Sequence, residues 1–358
     1  MTASAVHPLL LVALCCGLDR LVGDPRWCLH PVVVMGWWID QLRRLAEAWA
    51  GDRPWALRLA GGLITLLLVA GSGAAGWTLE RLVVWPHGPA PGLLGALPGL
   101  MLVVALASAL AGRSLEQAVQ AVLRALPQPG TTPPPQDPQL DAARRALSWI
   151  VGRETQDLSQ AEILRAAAET ASENAVDGLF APLFWMLLGA GLWSAGLTGG
   201  PGPLALAWAF KATSTLDSML GYRQGRLRWL GTAGARLDDL LVWLPCRLVA
   251  LTLPLAAGEP GRCIPMLGAA LRDGAPDPSP NAGVSQAAYA YGARVQLGGA
   301  NRYGHRIRHK PLLAKGLPAP DALGVERMLT LSRRLELLWI GAALLLAAML
   351  SFITKTLS

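Results

Sequence analysis

Glu169, Glu173 and Asp177 recur at i, i+4 and i+8 in the string ETASENAVDG. A helix turns that spacing into one row of three carboxylates. Like charges so placed repel by roughly a few tenths of a kcal/mol per pair, so the row calls for a cation: Arg165 one turn back, or a bound metal. Oxygen-only ligands suit Mg²⁺, which commonly takes substrate phosphates as well. Three aligned acids alone read equally as a solvated helix face. Chemistry is favoured because this helix runs straight into the apolar string GLFAPLFW, which puts the acids at a membrane surface.

Lys211 is the only lysine in the first 309 residues, and it lies inside the run LALAWAFKATSTLDSMLGY. An unpaired ammonium in such a span costs about 2.5–3.5 kcal/mol, so an intramembrane ionisable residue points first to function. Ser214, Thr215 and Ser218 follow it on a helical face, and Asp217 offers a counter-charge. A lysine can hold phosphate as a point charge, but there is no GxxxxGK[ST] string to make it a Walker lysine. The plainer reading is a snorkelling side chain near a span end.

In ARLDDLLVWLPCRL, Arg236, Asp239, Trp243 and Arg247 form one polar stripe on an apolar helix. Asp238 and Asp239 there suggest a second cation or phosphate site, although acids also simply favour helix starts. SPNAG (Ser279, Asn281, Gly283) and LGGANRYG (Gly298, Gly299, Asn301) are Gly-rich turns. Their backbone N–H groups can bind anions, and either is equally an ordinary turn. No CxxC, GxSxG or HExxH string occurs, which disfavours zinc sites and nucleophilic hydrolases.

These residues must be positioned by membrane helices. The 358-residue chain is 53% apolar and only 15% charged, well short of the charge of soluble domains. That excludes disorder, collagen-like repeats and a disulfide scaffold. The net charge of +7 reads as loops beside anionic lipid, not as a nucleic-acid surface. Fourteen Trp against four Phe and four Tyr fit many membrane–water boundaries.

The expected fold is all-α: a polytopic integral membrane helical bundle, one domain over residues 1–358. Spans are expected at 59–79, 92–111 and 178–198, with a last membrane helix at 335–353; the stretch from Pro8 to about Leu18 reads as a first membrane helix. The odd runs are 203–220, with Lys211 and Asp217, and 240–257, with Pro245, Arg247 and Pro254. Basic residues concentrate in 19–58, 112–177, 221–239 and 258–334, whereas 86–91 and 199–203 have none. The positive-inside rule therefore makes the four basic stretches cytoplasmic. Counting crossings then requires a re-entrant or broken segment near 240–257. A helical cytoplasmic insertion spans about 112–177, with a proline-rich linker at 127–139, and a cytoplasmic loop region spans about 258–334. No internal repeat is visible.

The strings GDPRWCLHPVVVMG, VGRET, ETASENAVDGLFAPLFW, KATSTLDSMLGY, ARLDDLLVWLPCRL, SPNAG and LGGANRYG stand in the order found in one family. From about residue 17 to 316 the chain resembles the adenosylcobinamide-phosphate synthase (cobinamide synthase) family of cobalamin biosynthesis. It departs from the family pattern at Ser214 and Val242, where Asn is usual, at Glu154, where Asp is usual, and near Trp37, where a basic residue is usual. The resemblance implies an inner-membrane, multi-pass enzyme with a cytoplasmic active face. Such an enzyme joins adenosylcobyric acid to (R)-1-aminopropan-2-ol or its phosphate, consuming ATP.

Amide formation requires an activated carboxylate, and ATP with Mg²⁺ can supply that activation. On this reading Glu169, Glu173 and Asp177, with Asp238 and Asp239, handle Mg²⁺–ATP. Lys211 and Arg236 hold phosphates, and Ser279, Asn281, Gly283, Gly298, Gly299 and Asn301 line a nucleotide or corrinoid pocket. Catalysis falls to Lys211, Asp217 and Glu173, with Asp217 orienting Lys211 or taking a proton from the amine. The partners are the corrinoid, the aminoalcohol and the bilayer; homo-oligomerisation is left open. A transporter, and an Mg²⁺-dependent membrane phospho-alcohol or prenyl transferase, are the alternatives. The first is disfavoured because the ionisable residues sit mostly at span ends.

Overall fold

Proline and capping chemistry set where several helices begin. Pro31 and Pro203 occupy first-turn positions, where a missing N–H costs nothing. His30 caps its helix by accepting the Val32 N–H at 3.3 Å. Ser159 and Glu162 form a reciprocal capping box at the head of the acidic helix.

The computed structural model describes residues 8–24, 30–84, 93–127, 137–303 and 306–357. Most of the proline-rich linker, the chargeless turn 86–91 and the segment after Asp24 in GDPRW lie outside the described residues. In chain order the helices are α1 (Pro8–Val22), α2 (Pro31–Ala50), α3 (Pro54–Val84), α4 (Leu93–Ala107), α5 (Gly112–Ala125), α6 (Asp137–Ser148) and α7 (Gln160–Ala175). A π-helical turn, Val176–Phe180, leads into α8 (Ala181–Ser194), followed by α9 (Pro203–Leu220), the short α10 (Leu227–Leu230) and α11 (Thr232–Ala256). Then come α12 (Cys263–Gly274), α13 (Ala282–Ala293), the antiparallel hairpin β1 (Leu297–Tyr303) and β2 (Arg306–Leu313), and α14 (Ala322–Leu357).

Three described helical runs are long and apolar enough to cross a membrane: Pro54–Val83, Gln160–Ser194 and Thr232–Ala256. The pair Leu97–Ala107 and Gly112–Ala125, bent by 43°, is a fourth candidate. The expected span 59–79 lies within the first run. Of the expected span 178–198, residues 178–194 are the second half of a longer helical run that also carries the acids, and 195–198 lie past its end. Residues 335–353 lie within α14, 36 residues long. At 15 residues, the described α1 falls short of the roughly 20 needed to span.

The break expected near Pro245 and Pro254 is absent, because both prolines lie inside the continuous helix α11. A proline cannot donate to the carbonyl four residues back. For Pro245 that carbonyl belongs to Leu241, and the Trp185 indole N–H donates to it at 3.3 Å. A side chain thus supplies the missing backbone donor and the helix continues.

The chain forms two compact units. Unit 1 comprises residues 1–111, 181–241 and 339–358. Its core joins α2, α3, α9 and α10 through Ile39, Leu57, Ile64, Leu68, Leu216, Leu220 and Leu230. The contact of α3 with α9 is close because Gly76 carries no Cβ; one there would stand 2.9 Å from the Ala205 Cα. Small residues let membrane helices approach in this way. The buried Glu80 carboxylate accepts the N–H groups of Gly202, Leu204 and Ala205 at 3.0, 2.6 and 3.2 Å, capping α9 from another helix.

Unit 2 comprises residues 112–180 and 242–338. α12 packs against α13 where Gly274 meets Gly283. The fully buried Tyr289 shares a 2.6 Å hydrogen bond with Ser332 of α14.

Candidate functional site

The acids and cations singled out from the sequence fall into two clusters, one in each unit. In unit 2, α7 carries Glu169 and Glu173 on successive turns. Asp177 lies in the π-helical turn that follows. The widened i→i+5 turn breaks the strict row expected from spacing; such turns recur at functional sites.

Glu169 is paired with Arg153, not with Arg165. The Arg153 Nη1 lies 3.3 Å from the Glu169 Oε2, and both side chains are 7% exposed. Arg165 instead donates to the Ala300 carbonyl at 2.5 Å, fastening α7 to β1. The loop carrying Arg153 is held by the buried Arg144, whose Nε donates to the Leu158 carbonyl at 3.0 Å. The Thr155 hydroxyl donates back to the Arg144 carbonyl, also at 3.0 Å.

Glu173 accepts a 2.7 Å hydrogen bond from the side-chain amide of Gln286 on α13. It also lies in the field of Lys310 on β2, of Asp277 and of Glu169. Three buried polar atoms in this cluster have no hydrogen-bond partner: Glu169 Oε1, Arg153 Nε and Gln286 Oε1. Leaving such atoms unpaired typically costs about 1–3 kcal/mol each.

The two Gly-rich strings have structural work in unit 2. The Ser279 hydroxyl accepts the N–H groups of Asn281 and Ala282, both at 3.3 Å. The Asn281 Oδ1 accepts from Arg247 at 2.5 Å, and Arg247 also donates to the Pro280 carbonyl at 2.8 Å. A Cβ on Gly283 would stand 2.6 Å from the Gly274 carbonyl oxygen, so this glycine serves helix packing. Gly298 and Gly299 have φ of +82° and +95° at an irregularity in the β1–β2 register. Asn301 lies in β1, and its side chain is outside the described atoms.

In unit 1, α9 carries Lys211 and Asp217, and the first half of α11 carries Arg236, Asp238 and Asp239. Asp238 lies in the fields of Asp217 and Asp239, two like charges, and of the Lys211 ammonium. The Asp238 Oδ1 is buried and lacks a hydrogen-bond partner. Lys211 acts on the charge of Asp238, while Asp217 faces Asp239. The Thr215 and Ser218 hydroxyls donate to carbonyls one turn back, at 2.7 and 2.9 Å. Arg236 is exposed.

The five acids expected to hold metal are therefore split: Glu169, Glu173 and Asp177 in unit 2, Asp238 and Asp239 in unit 1. Among the described residues, no three His, Cys, Asp or Glu side chains form a ready-made metal site. Glu169 Oε1 and Asp238 Oδ1 are the oxygens with capacity to spare.

Arg153 and Gln286 were not among the residues the sequence marked for chemistry. Arg153 had a signal, its place in the VGRET string. Gln286 had none, because only folding brings it to Glu173, 113 positions away.

A family model described as CobD/Cbib protein matches residues 12–332. The chain is 38% identical over 347 residues to "Cobalamin biosynthesis protein CobD" of Synechocystis sp., covering 96% of this chain and 94% of the relative. It is 36% identical over 339 residues to "Cobalamin biosynthesis protein CbiB" of Salmonella typhi, covering 92% of each. To "Cobalamin biosynthesis protein CobD" of Geobacter metallireducens it is 37% identical over 342 residues, covering 95% of this chain and 96% of the relative. No solved structure matches it.

Proposed function

The chain belongs to the CobD/Cbib protein family, and on that premise we propose that it is an ATP-dependent amide synthase of cobalamin biosynthesis. It joins the free carboxylate of adenosylcobyric acid to (R)-1-aminopropan-2-ol or its phosphate, at the inner cell membrane with a cytoplasmic active face. The observation that carries this reading is the Glu169 Oε1, a buried carboxylate oxygen without a hydrogen-bond partner, beside Arg153 and Glu173. It supplies what a nucleotide–metal site needs: an anion for the cation and a guanidinium for phosphate.

Mg²⁺–ATP, when bound, supplies the electrophilic activation that a carboxylate lacks. In unit 2, Glu169 and Glu173 would take the cation, with Asp177 in the π-helical turn that follows as a further carboxylate. Gln286 fixes the Glu173 carboxylate, as a hydrogen-bond partner behind a metal ligand does. Arg153 and Lys310 offset phosphate charge, and the Ser279–Gly283 and Gly298–Asn301 segments shape the surroundings. In unit 1, Lys211 and Arg236 hold anionic substrate groups. Asp217 would orient Lys211 or accept the proton that the amine loses on acylation, and Asp238 and Asp239 would bind a second cation.

The test is a product mass. Purified protein is incubated with adenosylcobyric acid, ATP, Mg²⁺ and either aminopropanol or its phosphate. A corrinoid whose mass has grown by the aminoalcohol minus water, only with ATP present, supports the proposal. Unchanged corrinoid with both amines overturns it.

A further inference from the structure

We propose that Arg58, Trp229 and Arg228 of unit 1 form a headgroup site for an anionic phospholipid. Both guanidiniums lie over the Trp229 ring, with their central carbons 4.5 Å (Arg58) and 4.9 Å (Arg228) from its centroid. Trp229 is itself fixed, packed against the core of α2, α3 and α9. Neither guanidinium makes a hydrogen bond or ion pair to the protein among the described residues. Two unneutralised cations are thus held over one indole, each offering a planar fork of donors suited to a phosphate.

Arg53, Arg43 and Arg226 nearby are already committed. Arg53 donates to the Ala50 and Trp49 carbonyls at 3.0 and 2.7 Å, closing the end of α2. Arg43 pairs with Glu47 at 2.8 Å, and Arg226 with Asp52 at 2.7 Å. The Arg226 guanidinium holds the Asp52 carboxyl below its usual range. Arg58, Arg228 and the exposed Arg223 are left without a carboxylate or carbonyl partner among the described residues, and of these Arg58 and Arg228 lie over Trp229.

The location selects a lipid over a soluble phosphate. Arg58 stands about one turn into α3, at the start of the candidate span Pro54–Val83. Beside it Trp49 and Trp55 are 54% and 62% exposed and meet edge-to-face, with ring centres 6.4 Å apart. Exposed indoles at the end of a span sit at headgroup depth. Phosphodiesters of anionic lipid occupy that layer, where each nearby Lys or Arg contributes about 1 kcal/mol of attraction. The inference is independent of the amide-synthase reading.

Native mass spectrometry of the full chain in neutral detergent provides the test, titrating phosphatidylglycerol against phosphatidylcholine. The wild type should retain phosphatidylglycerol preferentially. The Arg58→Gln/Arg228→Gln variant should lose roughly ten- to thirtyfold of that preference. Arg58→Lys/Arg228→Lys should keep most of it. If the double Gln variant is not recovered folded, each single variant must show a smaller loss in the same direction. Wild-type preference in the Gln variants, or no preference in the wild type, overturns the proposal. So does displacement of the lipid by millimolar inorganic phosphate, which would make this a soluble-anion site.

Discussion

The Gln286 amide donates to the Glu173 carboxylate across 2.7 Å, tying α13 to the acidic helix α7. Gln286 is fully buried, and its own carbonyl oxygen has no hydrogen-bond partner. The pair therefore fixes one carboxylate while leaving the Gln286 carbonyl oxygen open.

Glu173→Gln removes the anion while keeping shape, and should lower ATP-dependent amide synthesis by roughly 10²–10³-fold, the usual cost of deleting an electrostatic catalytic group. Gln286→Ala should cost about 10–100-fold, as for partners that stand behind a ligand. The second loss should be partly recovered at high Mg²⁺, and the first should not. Full activity in Glu173→Gln would remove the metal role from this residue.

Arg153 and Glu169 make the second prediction. Truncating one member of a buried ion pair strands the other charge, at a cost of about 3–5 kcal/mol. Arg153→Ala should therefore lower the thermal midpoint sharply in detergent, and Glu169→Ala likewise. Replacing both, as Arg153→Met/Glu169→Leu, should restore much of that stability without restoring activity. Equal instability of the double variant and the singles would show that the pair is not what holds this region.

Much of the architecture was legible in the sequence, for physical reasons. Apolar runs of spanning length and loops rich in arginine depend on local composition, so the span within α3 could be read directly. The spacing of Glu169 and Glu173 was equally legible, because four residues is a helical turn. What spacing cannot report is a partner from elsewhere in the chain. Arg165, one turn from Glu169, was the natural counter-charge, yet the structure commits it to Ala300 and brings Arg153 in from a preceding loop. The π-helical turn at Val176–Phe180 likewise left no mark in the i, i+4 pattern and takes Asp177 out of the row.

Pro245 is the clearest such case, and it yields a prediction. Local rules make it a helix breaker, while the compensating donor, Trp185, is 56 residues away from the carbonyl it serves. Trp185→Phe should cost about 1–3 kcal/mol by orphaning the Leu241 carbonyl. In a Pro245→Ala background, where the backbone N–H returns, the same substitution should cost clearly less. A double-mutant cycle on thermal unfolding measures the difference, and a coupling of zero would contradict this account of the continuous helix.

Lys211 is the corresponding test in unit 1. Lys211→Met should abolish measurable amide synthesis, because it removes the ammonium whose field acts on Asp238. Lys211→Arg should retain some activity if the residue acts through charge alone. A fully active Lys211→Met enzyme would return the residue to the role of a snorkelling side chain.

The central claim is that this chain uses ATP to activate a corrinoid carboxylate for amide formation. It is tested most directly by labelling that carboxylate with heavy oxygen and following the label through a single incubation with ATP, Mg²⁺ and the amine. Activation predicts one labelled oxygen in the phosphate or nucleotide released and one retained in the new amide carbonyl. Amide formed with no label in any phosphorus-containing product would contradict the account.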